Sequence, residues 1–144
     1  MLEHETGLHF VLDCYSCAES KLADQDFIYE VLNKFPEKMG RSKNMSPYIF
    51  KDQKGNVDAQ GISGLVLFGD THLSIHSFPI KKHVLIDLFS ASDFDYGWVV
   101  DFMVGLFGAK KHEVEITHQN IELPMSVKET VQMIDRERKS AYFS

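Results

Sequence analysis

The chain has 144 residues, 44% hydrophobic and 25% charged, with eleven Phe, five Tyr and one Trp, which suits one domain with one core and excludes disorder except at the ends. A net charge of −6, with no run of Lys or Arg longer than two, argues against a nucleic-acid backbone partner. No apolar run approaches the roughly 20 residues of a membrane span, the opening MLEHETG lacks the pattern of a signal peptide, and two cysteines are too few for a disulfide framework, so a cytoplasmic protein is expected.

In chain order, Gly7 to Cys14 is apolar and rich in strand formers, which predicts a strand. Ala18 to Phe35 sets Leu22, Phe27, Ile28, Val31, Leu32 and Phe35 at helical spacing, and Pro36 is expected to end that helix. Met45 to Lys51 predicts a strand, and the polar stretch Asp52–Gln60 around Gly55 a hairpin loop. Ile62–Phe68, Thr71–Phe78 and His83–Phe89 predict three strands, the first two parted by Gly69 and Asp70, the last two by Pro79 and Lys81–Lys82. Ser92 or Asp93 is placed to cap a helix to about Leu106, with Gly105 and Gly108 at its end. His112–His118 alternates apolar and charged residues, as a strand with one wet face does. Ser126 to about Lys139 predicts a polar helix with a narrow apolar stripe, suited to docking on the domain or on a partner. The order of elements predicts one domain over 1–144, an α/β (α+β) two-layer sandwich. Its antiparallel or mixed sheet carries helices on one face.

The chemistry-bearing stretch is Gly61-Ile-Ser-Gly-Leu-Val-Leu-Phe-Gly-Asp-Thr-His-Leu-Ser-Ile-His-Ser-Phe-Pro79. Taken alone, it fits a plain hairpin in which His72 and His76 are ordinary sheet residues. Cys14-x-x-Cys17 with His72-x-x-x-His76 also looks like a zinc ligand set on paper. Strand geometry counts against zinc, because residues four apart stand about 13 Å from each other at about 3.3 Å per residue. A redox role for the CxxC pair would need a low-pKa cysteine near a helix N-terminus; the start of the Ala18 helix is the only support.

The same stretch carries a specific likeness. Gly61-Ile-Ser63-Gly64, Asp70-Thr71-His72, His76-Ser77-Phe78-Pro79 and Asp87-Leu-Phe89-Ser90-Ala91, with Gly7, His9, Asp13 and Cys17 at the opening, match a known pattern in kind and order. Over residues 7 to about 118 the chain resembles the small prokaryotic S-adenosylmethionine decarboxylases, with 119–144 as a C-terminal extension. The resemblance implies that family's fold, a link to polyamine synthesis, and a homodimer with sites near the subunit interface. It implies no metal. It also implies self-cleavage: a hydroxyl attacks its own preceding carbonyl, the amide becomes an ester, and elimination leaves a pyruvoyl-type group. That carbonyl condenses with the substrate amine and takes up the electrons left by lost CO2.

On this likeness Thr71 is the cleavage residue and precursor of the cofactor, Ser63 and His76 assist processing, and His72 shapes the site. Phe78 and Phe50 would stack on a ligand such as S-adenosylmethionine or a basic amino acid. Three residues depart from the pattern. Thr71 replaces Ser, so elimination would give a 2-oxobutanoyl group, and the extra methyl stiffens χ1. Ala91 stands where the family's proton-donating Cys sits, and the flanking Ser90 and Ser92 are poor general acids at neutral pH. Ile80 replaces a Glu that grips ribose hydroxyls; an unpaired polar group facing it would cost about 1–3 kcal/mol. Two readings follow: a decarboxylase of altered substrate or slow processing, or a processing-deficient, inactive paralogue that binds a ligand or pairs with an active subunit.

Overall fold

The computed structural model describes residues 3–123; the helix expected at about 126–139 lies outside them. Six strands form one sheet: β1 (Glu3–Tyr15), β2 (Tyr48–Asp52), β3 (Gly61–Phe68), β4 (Thr71–Phe78), β5 (His83–Ser90) and β6 (Lys111–Leu123). Their order is β2-β3-β4-β5-β1-β6, and every neighbouring pair is antiparallel. The expected sandwich is therefore present, with an antiparallel rather than a mixed sheet. Two tight links set the register of its centre. A two-residue turn, with Gly69 at φ 62°, pairs Phe68 with Thr71 and Ser63 with His76. The turn over Pro79–Lys82 pairs Phe78 with His83 and Thr71 with Ser90.

Side chains alternate across a strand, so one face of the sheet is mostly apolar, with Thr71, Ser77 and Ser90 as its buried polar residues. Leu8, Phe10 and Leu12 of β1, Ile62, Val66 and Phe68 of β3, Leu73 and Ile75 of β4, and Val84, Ile86 and Leu88 of β5 are all buried. Helices α2 (Gln25–Lys38) and α3 (Tyr96–Phe107) cover that face with Ile28, Val31, Leu32, Phe35, Val99, Met103 and Phe107. Phe35 joins the layers: its ring lies 6.2 Å from Phe68 and 6.0 Å from Trp98. Each such fully buried side chain is worth about 1.5–3 kcal/mol. The other face carries half-buried His9, His72, His76, His83, Leu65, Leu85, Asp13, Asp87 and Phe89 and no helix of the described chain.

Strands β1 and β6 run beyond the expected Gly7–Cys14 and His112–His118, β2 begins at Tyr48 rather than Met45, and three helix boundaries also differ from the sequence reading. The helix expected over Ala18–Phe35 is two: a short α1 (Glu19–Leu22), then α2, restarted because the Asp24 carboxylate accepts the Phe27 N–H at 3.1 Å. Pro36 does not end α2 but lies inside its last turn. Proline there gives up the bond its N–H would make to the Leu32 carbonyl, and its ring crowds that carbonyl. The ring is buried, and the Pro36 carbonyl still accepts Arg41 N–H at 2.9 Å. Helix α3 is capped by Asp95, whose carboxylate accepts the Trp98 N–H at 3.0 Å, rather than by Ser92 or Asp93. Among the described residues no helix is long and apolar enough to cross a membrane.

Candidate functional site

The residues singled out from the sequence fall into two groups, on opposite faces of the sheet. Thr71 opens β4 with its side chain toward the helices, 3% exposed. Its hydroxyl donates to Asp70 Oδ1 at 2.9 Å and lies 3.0 Å from Ser90 Oγ, its cross-strand partner. Arg41, just after α2, completes the cluster. Its Nη1 donates to Thr71 Oγ1 and, at 2.8 Å, to Ser90 Oγ, while Nη2 donates to the Asp93 carbonyl at 3.1 Å. Arg41 Nη1 also stands 3.6 Å from Asp70 Oδ1.

The Asp70 carboxyl is held below its ordinary range. The Thr71 hydroxyl does most of this, partial burial opposes it, and a hydrogen bond with Ser92 and the Arg41 charge add to it. Its backbone carbonyl, at the Asp70–Thr71 bond, accepts the Ala91 N–H at 3.2 Å. A hydroxyl, a carboxylate beside it, a guanidinium on the hydroxyl oxygen and an N–H on the adjoining carbonyl are groups that can serve an acyl shift at such a bond. A cavity of about 340 Å³, lined in part by Arg41, Asp93, Phe94 and Trp98, opens beside the cluster.

The second group lies on the open face. Ser63 Oγ and His76 Nδ1 are 2.8 Å apart, a cross-strand pair of β3 and β4. Phe50 of the edge strand β2 is paired with Ser63 and is 48% exposed, so Phe50, Ser63 and His76 form one row across three strands. Phe78 stacks on His83 at 5.5 Å, and His83 on Tyr15 at 4.9 Å. His72 stacks on Phe89 at 5.6 Å. Two acidic residues tie this face together: His9 Nε2 meets Asp87 Oδ1 at 2.9 Å, and His83 Nε2 meets Asp13 Oδ1 at 2.7 Å. Thr71 and His76 are five positions apart along the strand, about 16 Å at about 3.3 Å per residue. Within one chain, the Ser63–His76 pair does not reach the Asp70–Thr71 bond.

Cys14 is fully buried toward the helices, on the face opposite His72 and His76, so these side chains do not converge. Burial, the largest cause, with the nearby Cys17 and Asp13 charges, pushes the Cys14 thiol up to about 12, and burial raises Cys17 as well. This is the reverse of what a redox CxxC pair needs.

Sequence reading missed Arg41, the role of Ser90 as partner of Thr71, and the Ala91 N–H. Ser90 was within reach: the four-residue link between β4 and β5 fixes Thr71 opposite it. Arg41 had no signal, since it belongs to no strand or helix and reaches Thr71 only through the packing of α2 on the sheet.

A family model described as S-adenosylmethionine decarboxylase matches residues 8–120. The S-adenosylmethionine decarboxylase proenzyme of Bacillus velezensis is 29% identical over 119 residues, covering 82% of this chain and 84% of that one. The proenzyme of the same name from Pyrococcus furiosus is 27% identical over 117 residues, covering 81% and 80%. The crystal structure of the adenosylmethionine decarboxylase from Aquifex aeolicus superposes with a TM-score of 0.70 at 20% identity, over 85% of this chain and 96% of that one, which establishes the shared fold. The chain belongs to the S-adenosylmethionine decarboxylase family.

Proposed function

We propose that this protein is a self-processing member of its family, cut between Asp70 and Thr71 to leave a 2-oxoacyl group on the new N-terminus, and that it decarboxylates an amino-acid-type substrate. The observation that carries this reading is the setting of Thr71. Its hydroxyl is buried, bonded to Asp70 and Arg41, and adjoins a carbonyl that already accepts an N–H from Ala91. When present, the 2-oxoacyl group supplies the electron sink for loss of CO2. Phe50 and Phe78 would hold the substrate by stacking, S-adenosylmethionine being the first candidate and a basic amino acid the second. Free cysteines fit a cytoplasmic setting.

A homodimer belongs to this reading. The open sheet face presents Tyr48, Phe50 and Leu67, all exposed, beside the half-buried histidines. A second copy facing it would bury them. It would also supply the only route by which Ser63 and His76 assist a bond about 16 Å distant in their own chain. His72, stacked on Phe89, would shape this face.

A second reading is supported by Ala91 and Ile80. Ala91 has no proton to give, and Ile80, 53% exposed, cannot accept hydrogen bonds from ribose. On that reading the chain is an inactive paralogue that holds a ligand or pairs with an active subunit. Release of labelled CO2 from carboxyl-labelled S-adenosylmethionine, arginine or ornithine separates the two. Release by the purified protein sustains the enzyme. Its absence, with cross-linking to an active family member, sustains the partner.

A further inference from the structure

Arg41 is held where a hydroxyl nucleophile needs it, and the family likeness gives it no role. It follows Gly40, whose φ of 73° turns the chain out of α2 and sends the side chain back into the protein, where it is 22% exposed. One guanidinium nitrogen contacts the Thr71 and Ser90 hydroxyls and the other is anchored on the Asp93 carbonyl.

We propose that Arg41 is a catalytic residue of self-cleavage, fixing the Thr71 hydroxyl and stabilising the charge left on Oγ1 as its proton passes to Asp70, before Oγ1 bonds to the Asp70 carbonyl carbon. The inference rests on Thr71 being the cleavage nucleophile. The setting of the threonine suits such a group. Its β-branched side chain has few χ1 choices, and contacts from Arg41, Asp70 and Ser90 select the one that sets Oγ1 inside the cluster. A guanidinium suits the task because it stays charged and its rigid fork reaches several oxygens at once.

The step balances within these residues. The Thr71 hydroxyl proton passes to Asp70 Oδ1, and Oγ1 bonds to the Asp70 carbonyl carbon. The carbonyl electron pair moves onto its oxygen, toward the Ala91 N–H. As the pair returns, the C–N bond to Thr71 breaks and the nitrogen takes the proton back from the Asp70 carboxyl. The products are an ester and a free amine, with Arg41 protonated throughout. No outside oxidant or base is consumed.

The test follows cleavage by intact mass in time courses, and the ester, which has the mass of the uncut chain, by the fragments that hydroxylamine releases from it, for the wild-type chain, T71S, and R41A and R41K in each background. R41A is expected to slow cleavage on the order of 100-fold, the cost of losing a donor to a charged oxygen in a reaction. R41K is expected to slow it about tenfold, since an ammonium keeps the charge without the fork. The cavity beside Arg41 admits small cations, so guanidinium chloride is expected to raise the R41A rate and leave the parent's unchanged. A structural tie alone would not give that rescue. Cleavage of R41A at the parent's rate overturns the role of Arg41 and leaves the proposed function standing. Slowed cleavage with a lowered melting temperature and no rescue does the same. If R41A does not fold, R41K decides: a slowed rate at an unchanged melting temperature sustains the proposal, and the parent's rate overturns it. Failure of both wild type and T71S to cleave overturns the proposed function and this inference with it.

Discussion

Ser63 Oγ and His76 Nδ1 are hydrogen-bonded at 2.8 Å on the open face of the sheet, while Thr71, which they are expected to serve, is buried on the face covered by helices. If the pair assists processing, it does so from a second copy. Co-expressed T71A and H76A chains test this. T71A has no nucleophile but keeps Ser63 and His76; H76A keeps Thr71 but lacks the helper. Each chain alone is expected to stay whole, and the mixture is expected to cut the H76A chain only. Cleavage of H76A by itself would show that the pair is not needed.

The glycines of Gly61-x-Ser63-Gly64 serve close packing. A Cβ on Gly61 would meet the Ser77 carbonyl oxygen at 1.8 Å, and one on Gly64 would meet Leu32 Cδ1 at 2.3 Å. The first obstacle is backbone and cannot move aside; the second is the tip of a side chain. Gly61→Ala is expected to cost about 3 kcal/mol or more and Gly64→Ala about 1–2 kcal/mol, read by chemical denaturation. A larger loss at Gly64 would show that α2 cannot shift on β3.

Ser77 is a buried polar tie of the same region. Its hydroxyl donates to the Leu22 carbonyl at 2.8 Å and accepts the Ile62 N–H at 3.1 Å, linking α1 to two strands. Ser77→Ala strands both groups and is expected to cost about 1–3 kcal/mol, again by denaturation.

The centre of the fold was legible because its strands are marked locally. Thr71–Phe78 alternates, Ile62–Phe68 and His83–Phe89 are apolar runs beside it, two short links set the register, and pairings such as Ser63 with His76 follow by counting. What was illegible depends on packing across the two layers. The split between α1 and α2 turns on Asp24 capping a second helix, a choice that a continuous apolar stripe conceals. Pro36 suggests a terminator, yet α2 runs two residues past it with the ring buried, a gain the local pattern does not display. Period two did imply that Thr71 and His76, five residues apart, face opposite ways. The likeness to a family, which ranks residues by role, grouped them instead.

Alkaline behaviour follows from Cys14. Its thiol is pushed from 9.0 to about 12 in the folded chain, so unfolding favours loss of its proton. The folded state keeps the proton while the unfolded state releases it, so stability is full below about pH 9 and declines as pH rises toward about 12. At pH 8 the buried thiol is almost wholly protonated, and the thiolate is the nucleophile. Iodoacetamide is expected to alkylate Cys14 far more slowly in the folded chain than in urea. Rapid labelling of Cys14 without urea would contradict the burial on which this depends.

The most direct measurement is the intact mass of the purified protein under denaturing conditions, followed over time. The expected result is two fragments parted between Asp70 and Thr71, the second carrying a 2-oxobutanoyl end and lacking a free amine. A single full-length mass after prolonged incubation, with T71S equally whole, would contradict self-processing and leave the inactive-partner reading in its place.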